Sequence, residues 1–253
     1  MKQLIYILVL ITNFGFAQNN AKKQFDDANE LYRKEKYTEA IQKYESIVTK
    51  DKLESAELYF NLGNCYYKLG KIAPSIYNFE KALLLNPNDE AIETNLHFAQ
   101  KMAIDDIKVV PEVGFSNFIY KIIAVYSYNT WAWIAVSFSI FFLLFFIGYY
   151  FSSRTITKRI FFVGMFVLLA FIIISVVFAF LEKRFEKTIR PAIVFEEVVN
   201  VKSEPRTASE NTFILHEGTK VYVKETLDNW KRIQLTDKTE GWIKKEAIKE
   251  LKE

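Results

Sequence analysis

The 253 residues contain one cysteine and two histidines, too few for a disulfide framework or for a metal site built from several Cys and His ligands. There is no Gly-rich loop able to cradle phosphate, no nucleophile elbow, and no histidine set beside carboxylates at ligand spacing. A formal net charge of +3 leaves no basic excess of the kind a nucleic-acid binder carries, so no nucleic-acid partner is expected. Charge is also unevenly absent. The 60 residues between Lys121 and Glu182 hold three charged side chains, Arg154, Lys158 and Arg159, together with 12 of the 23 Phe. The rest of the chain is as charged as a soluble protein, so a single soluble fold is excluded, and each flank is long enough for one small domain.

Two stretches inside the uncharged region, 131–151 and 160–181, are long enough to cross a bilayer and hold no Asp, Glu, Lys or Arg. A buried core helix would show a polar stripe, whereas these are apolar all round. Tyr126, Tyr128, Trp131 and Trp133 at one end of the first span, with Tyr149 and Tyr150 at the other, are placed as an interfacial aromatic belt. The short connection 152–159 makes the spans a helical hairpin and puts both flanks on one face. Positive charge does not orient it: three basic residues in the connection favour a cytoplasmic loop, but Lys183, Arg184, Lys187 and Arg190 follow the second span. The N-terminus decides. Lys2, the apolar run Leu4 to Ile11, and Gly15-Phe16-Ala17 before polar Gln18 read as a signal peptide over 1–17, with an uncleaved anchor through Phe16 as the alternative. Either one exports the domain behind it. The expected location is the bacterial inner membrane, two-pass, with the lipid bilayer around the hairpin and both flanking domains periplasmic.

Residues 21–104 repeat with a period of 35. Phe25/Phe60, Asn29/Asn64, Tyr32/Tyr67, Arg33/Lys68, Ile41/Ile76, Tyr44/Phe79 and Glu45/Glu80 align, and such a period means stacked helix pairs. In the second copy Leu62, Gly63, Tyr66, Gly70, Ser75, Phe79, Ala82 and Pro87 resemble the tetratricopeptide (TPR) signature. The first copy matches more loosely, with Ala28, Tyr37, Ala40 and Tyr44, and has Ile47 where a small residue is usual. A further helix, about 88–103, echoes Asn61-Leu62 with Asn95-Leu96 and serves as the capping helix. Two repeats and a cap are near the minimum for stability, which makes added support from self-association or a partner plausible. Resemblance to TPR domains implies a peptide-binding groove lined by the first helix of each repeat, here Phe25, Asn29, Tyr32 and Arg33, then Phe60, Asn64, Tyr67 and Lys68. The amides suit a peptide backbone and the cations a carboxylate. Core packing is the competing reading, about equally good for Phe25 or Tyr32 and weaker for the asparagines.

After a juxtamembrane linker, 105–130, and the hairpin, residues 192–253 change to short β-rich runs: Ile193 to Val201, Thr212 to Leu215, Thr219 to Glu225, Trp230 to Leu235, and Gly241 to Lys244. Five short strands in about 60 residues suit a small barrel. Val199-Asn200-Val201-Lys202-Ser203 before Pro205, His216-Glu217-Gly218-Thr219, Asn229-Trp230 and Gly241-Trp242-Ile243 resemble bacterial SH3-like domains, which are similar to modules that dock onto cell-wall peptides or other proteins. Trp230 and Trp242 are the candidate ligand face, with the barrel core as the expected place of at least one. Cys65 reads as a buried free thiol. The acidic pairs Asp26-Asp27, Asp105-Asp106 and Glu196-Glu197 read as solvated surface.

The fold class expected is thus a multidomain membrane protein: an all-α TPR solenoid, a transmembrane helical hairpin and a small all-β SH3-like barrel. This order resembles the BatE-like family of aerotolerance-operon membrane proteins. The resemblance implies partners among other membrane or periplasmic proteins, notably von Willebrand A-domain proteins of the same operon. The function expected is a non-enzymatic adaptor without cofactor. A cell-wall sensor whose barrel binds peptidoglycan peptides and an auxiliary subunit of a membrane enzyme are the alternatives.

Overall fold

The structure, a computed structural model, describes residues 21–87, 89–105, 119 and 122–252; the expected signal peptide, Asp106 and most of the linker lie outside them. The chain divides into two compact units, one formed by Met1–Val109 with Arg190–Glu253 and the other by Val110–Ile189.

In the first unit five helices come first: α1 (residues 21–33), α2 (Tyr37–Thr49), α3 (Ala56–Lys68), α4 (Ile72–Leu85) and α5 (Glu90–Gln100). The Ser55 hydroxyl accepts from Leu58 N–H and caps α3, and the Asp89 carboxylate accepts from Ala91 and Ile92 N–H to cap α5. Within the second pair α3 and α4 cross closely because Gly63 has no side chain: a Cβ there would meet the Phe79 ring at 2.6 Å. The Ser75 hydroxyl donates to the Gly63 carbonyl across the same crossing, 3.0 Å.

The repeat extends to backbone geometry. Gly70 turns α3 into α4 with φ +68°, its N–H donating to Tyr67 O and that of Lys71 to Tyr66 O. Thirty-five residues earlier Glu35 makes the same turn at φ 59°, with Glu35 N–H on Tyr32 O and Lys36 N–H on Leu31 O. Left-handed geometry costs a residue with a Cβ about 1–2 kcal/mol, partly offset by the chain freedom that glycine loses on folding. Glu35→Gly is therefore expected to raise stability by about 0.5–1 kcal/mol, read as a higher midpoint in denaturant; an unchanged or lower midpoint would show that the turn is not strained.

The C-terminal part is a seven-stranded antiparallel sheet: β1 (Pro191–Val194), β2 (Val198–Lys202), β3 (Asn211–His216), β4 (Lys220–Leu227), β5 (Trp230–Gln234), β6 (Glu240–Lys244) and β7 (Ile248–Glu250), in the spatial order β3-β2-β6-β5-β4-β1-β7. Two features differ from the sequence reading. The run Ile193 to Val201 is two strands, because β1 pairs with β4 and β7 while β2 pairs with β3 and β6. Between them Phe195 leaves the ladder, its N–H bonded to Ala247 O at 2.8 Å. A seventh strand comes after the 3-10 turn Lys245–Ala247, in a run too short and charged to show alternation.

Helices and sheet share a core. Ala192 and Val194 point into the sheet's own interior with Val201, Val221, Ile233 and Ile243. Ile193, facing the opposite way, is buried with Leu251 among the helical core residues. All four residues of β1 are consequently buried, since both of its faces are covered.

The second unit is the hairpin. Helix α6 (Tyr128–Phe151) is capped by the Ser127 hydroxyl, and α7 (Thr155–Thr188) begins after three residues. Both contain stretches long and apolar enough to cross a membrane: 24 residues at about 1.5 Å rise cover about 36 Å, more than a hydrocarbon core of about 30 Å. Glycine and phenylalanine interlock between them. The Phe161 ring fills the space a Gly148 side chain would occupy, and Phe145 does the same at Gly164. Phe138 stacks on Phe171 at 5.3 Å, and Trp131 meets Phe178 edge-on at 5.0 Å. Trp133 and Tyr150 stand out at opposite ends of α6, about 70% exposed, as interfacial aromatics require.

Candidate functional site

The eight residues of the duplicated face lie where the period puts them, on α1 and α3. Arg33 and Lys68 are exposed. Phe25, Asn29, Tyr32, Phe60, Asn64 and Tyr67 are half-buried, and the four aromatics touch the helical core. Their packing is itself repeated: Phe25 lies against Tyr44 at 5.6 Å and Phe60 against Phe79 at 5.9 Å. Tyr32 packs edge-on against Tyr37.

The asparagines do two things at once. Asn29 Oδ1 accepts from Tyr44 Oη at 2.5 Å and from Asn61 Nδ2 at 3.0 Å. One repeat on, Asn64 Oδ1 accepts from Asn95 Nδ2 at 2.8 Å, and Phe79, having no hydroxyl, supplies no counterpart of the Tyr44 bond. The oxygens thus tie each first helix to the next and fix the amide orientation. The Nδ2 groups of Asn29 and Asn64 have no hydrogen-bond partner among the described residues, leaving two oriented N–H donors one repeat apart. Sequence reasoning noticed that Asn95-Leu96 echoes Asn61-Leu62 but missed that Asn61 and Asn95 hold the face together. Burial pushes the Tyr44 hydroxyl well above its ordinary pKa, so it stays a donor. Cys65 is fully buried beside these residues, its thiol pushed up by burial to about 12, and is correspondingly unreactive.

On the sheet, Trp230 and Trp242 are half-buried, and neither belongs to the buried core, contrary to the expectation for at least one. Trp230 pairs with Lys244 across the strands and Trp242 with Arg232, so both rings lie on the outer face and at diagonal positions, roughly 7–8 Å apart in such ladders. The inward positions of β5 are Lys231 and Ile233. Lys231 is tolerated there because its ammonium meets Glu250 at 2.6 Å, and Arg190 grips the same carboxylate at 2.9 and 2.8 Å. Burial alone would raise the Glu250 pKa; the bonds and charges of Arg190 and Lys231 overcome it and hold the carboxyl below the usual range.

The junction of helices and sheet is the feature least visible beforehand. Asp105, read as solvated surface, is a latch. It accepts from His216 N–H at 2.7 Å and from the Thr219 hydroxyl at 2.6 Å, and its other oxygen lies 2.7 Å from His216 Nδ1. Glu80, 6% exposed on α4, takes the Lys220 ammonium at 2.6 Å. Tyr77 meets Phe195 edge-on and donates to the Glu250 carbonyl, while the Lys249 ammonium sits 4.5 Å from the centre of its ring. The Asp105 pKa, raised by burial and lowered more by its Thr219 and His216 bonds, ends below the ordinary carboxylate value.

Two of these carboxylates, Asp105 and Glu250, make stability depend on pH. Each contributes stability that is complete above the unfolded-state pKa of about 4 and is lost as pH falls through the lower folded value. Thermal melts of the full chain in detergent should hold constant from about pH 7 to about pH 5 and drop below about pH 4. Asp105→Asn should lower the neutral-pH melting temperature and shrink that drop. An equal drop in the variant would show that the latch does not contribute.

Compared with known families, residues 56–89 match the tetratricopeptide repeat model and residues 196–250 the bacterial SH3 domain model. A search of curated proteins found no match to the chain. Among the described residues no three His, Cys, Asp or Glu are grouped to hold a metal ion. The chain joins a TPR-like helical region, two apolar helices compatible with a two-pass membrane protein, and a bacterial SH3-like domain, a combination suited to binding proteins or peptidoglycan.

Proposed function

We propose that this protein is a non-enzymatic adaptor of the bacterial inner membrane, holding peptide segments of other membrane or periplasmic proteins on the α1–α3 face. The observation that carries this reading is the pair of Nδ2 donors on half-buried Asn29 and Asn64 that have no partner among the described residues, flanked by exposed Arg33 and Lys68. Two fixed donors suit carbonyls of an extended chain, and two cations suit its carboxylates. By its resemblance to the BatE-like family, the partners are von Willebrand A-domain proteins of an aerotolerance operon. Crosslinking mass spectrometry in native membranes tests this: a lysine-reactive reagent should join Lys68 to such a protein. Partner crosslinks confined to Lys224 and Lys244 on the sheet would overturn it.

The second reading, a sensor of peptidoglycan peptides, is favoured by the outer-face position of Trp230 and Trp242. Retention of the wild-type chain on insoluble cell wall, and its loss on changing both tryptophans to Ala, would select it.

In either case both flanking domains face the periplasm. The reading of residues 1–17 as a signal peptide supports this, and the shared packing of Asp105, before the hairpin, and Arg190, after it, in one folded unit supports their lying on one side of the membrane. Reporter fusions at Asp105 and Lys252 should register outside and one at Thr155 inside. A cytoplasmic signal at Lys252 would refute the topology.

A further inference from the structure

Between α5 and the sheet lies a cavity of about 670 Å³, within the range of small-molecule sites. Its origin can be read from the repeat. The offset that maps Asn61 onto Asn95 maps Gly63 onto His97. At Gly63 the second helix of the pair closes on the first; at the corresponding place α5 carries the exposed His97, and no second helix follows α5 among the described residues. The sheet packs against α4 and leaves the space beside α5 open.

Most of the residues lining it carry hydrogen-bonding side chains, and their charge is one-sided. Its two carboxylates are already engaged, Asp105 by His216 and Thr219 and Glu80 by Lys220. On the α5 side stand His97, Gln100 and Lys101, all exposed and spaced i, i+3 and i+4 on one face; none of their side chains has a hydrogen bond or ion pair among the described residues, and the Lys101 ammonium has only the Phe98 ring, 5.9 Å from its centre. Tyr222 and Thr236 form the opposite wall. Among the described residues the cavity therefore offers one uncompensated cation with neutral hydrogen-bonding groups around it, and no free carboxylate.

We propose that this cavity binds a short peptide through its free carboxylate, with Lys101 supplying the charge, Gln100 and His97 hydrogen bonds, and Tyr222 a surface for the peptide's apolar part. The site is separate from the α1–α3 face and from the outer tryptophans. The probe is Ala-Ala-Ala titrated into the full chain in detergent micelles by calorimetry, beside the same tripeptide as its C-terminal amide. The acid should bind saturably and the amide about tenfold or more weaker, as loss of a charge-assisted contact requires. Lys101→Gln should weaken the acid by a similar factor and leave the melting temperature unchanged, whereas Lys50→Gln, at an exposed lysine beyond the end of α2 and outside the cavity, should bind normally. Saturation absent at millimolar tripeptide, equal binding of acid and amide, normal binding by Lys101→Gln, or loss in Lys50→Gln would each overturn the assignment. Should Lys101→Gln melt early, Thr236→Val on the opposite wall takes its place, again with weaker binding expected, and the acid–amide comparison on the wild-type chain stands by itself.

Discussion

A full-length chain carrying Gly218→Val is expected to melt in two steps instead of one, with the sheet parting from the helices first. Gly218 has φ +87°, and a Cβ built on it would stand 2.9 Å from Ile72 Cγ2 and 3.0 Å from Ile76 Cδ1 of α4. Left-handed strain costs about 1–2 kcal/mol, and forcing extra methyl groups into a packed seam typically costs another 1–3 kcal/mol. The sum, about 2–5 kcal/mol, falls on the seam that joins the two parts. Gly70 supplies the control. It has φ +68° but nothing within 4 Å of its Cβ direction, so Gly70→Val bears the strain without the collision. Hydrogen exchange should quicken across Ile72, Ile76 and Tyr77 in the Gly218 variant and only near the α3–α4 turn in the Gly70 variant. If the two variants lose equal stability and keep a single transition, Gly218 is not a wedge and the seam is looser than its distances imply.

Changing Asn29 and Asn64 together to Asp should reduce partner co-purification roughly a hundredfold while the melting temperature stays close to wild type. Aspartate keeps the Oδ1 acceptors that Tyr44, Asn61 and Asn95 use, so the helices remain tied. It replaces the two unpartnered N–H donors by oxygens, which would meet the ligand's carbonyls. Each lost neutral hydrogen bond is worth about 0.5–1.5 kcal/mol, and an acceptor set against an acceptor adds to that, giving about 2–3 kcal/mol in all. Alanine tests something else. Asn64→Ala leaves the half-buried Asn95 amide without its acceptor, which costs about 1–3 kcal/mol of stability and confounds any binding measurement. Normal co-purification by the double Asp variant would end the case for the groove; a large fall in its melting temperature would mean that the amide nitrogens serve the fold as well.

The parts of this architecture legible in the sequence are those set within one or two turns of chain. The period of 35 located α1 to α4, and Gly63 and Ser75 announced the close crossing that Phe79 fills. Uninterrupted apolar composition marked α6 and α7, whose packing needs only glycine opposite phenylalanine. Alternation in Lys220 to Lys224 and in Trp230 to Leu235 marked β4 and β5, but it could not say which face was inside. At least one of Trp230 and Trp242 is expected inside; in the structure both stand half-buried on the outer face and Lys231 is the inward residue beside Trp230. Glu250 and Arg190, nineteen and forty-one residues away along the chain, make an inward lysine tolerable. The same limit hid the break at Phe195, whose ring belongs to a contact with Tyr77 on α4.

The instability foreseen for a stack of two repeats and a cap is met from within the chain. Ile193 and Leu251 complete the helical core, so the sheet acts as a second end-piece and the helices are properly studied in the full chain. By itself the sequence determined the modules, their order and the residues of the duplicated face, because hydrophobic periodicity, turn residues and repeat spacing act locally and survive in one dimension. The tertiary structure alone decided that the outer two modules are one body, that Asp105 and Glu80 are interior contacts, and that a cavity opens beside α5. Those outcomes depend on pairs such as Asp105 with His216 and Tyr77 with Glu250, separated by 111 and 173 residues. Only folding brings such groups within hydrogen-bond reach, and neither partner's local pattern distinguishes it from a residue left in water.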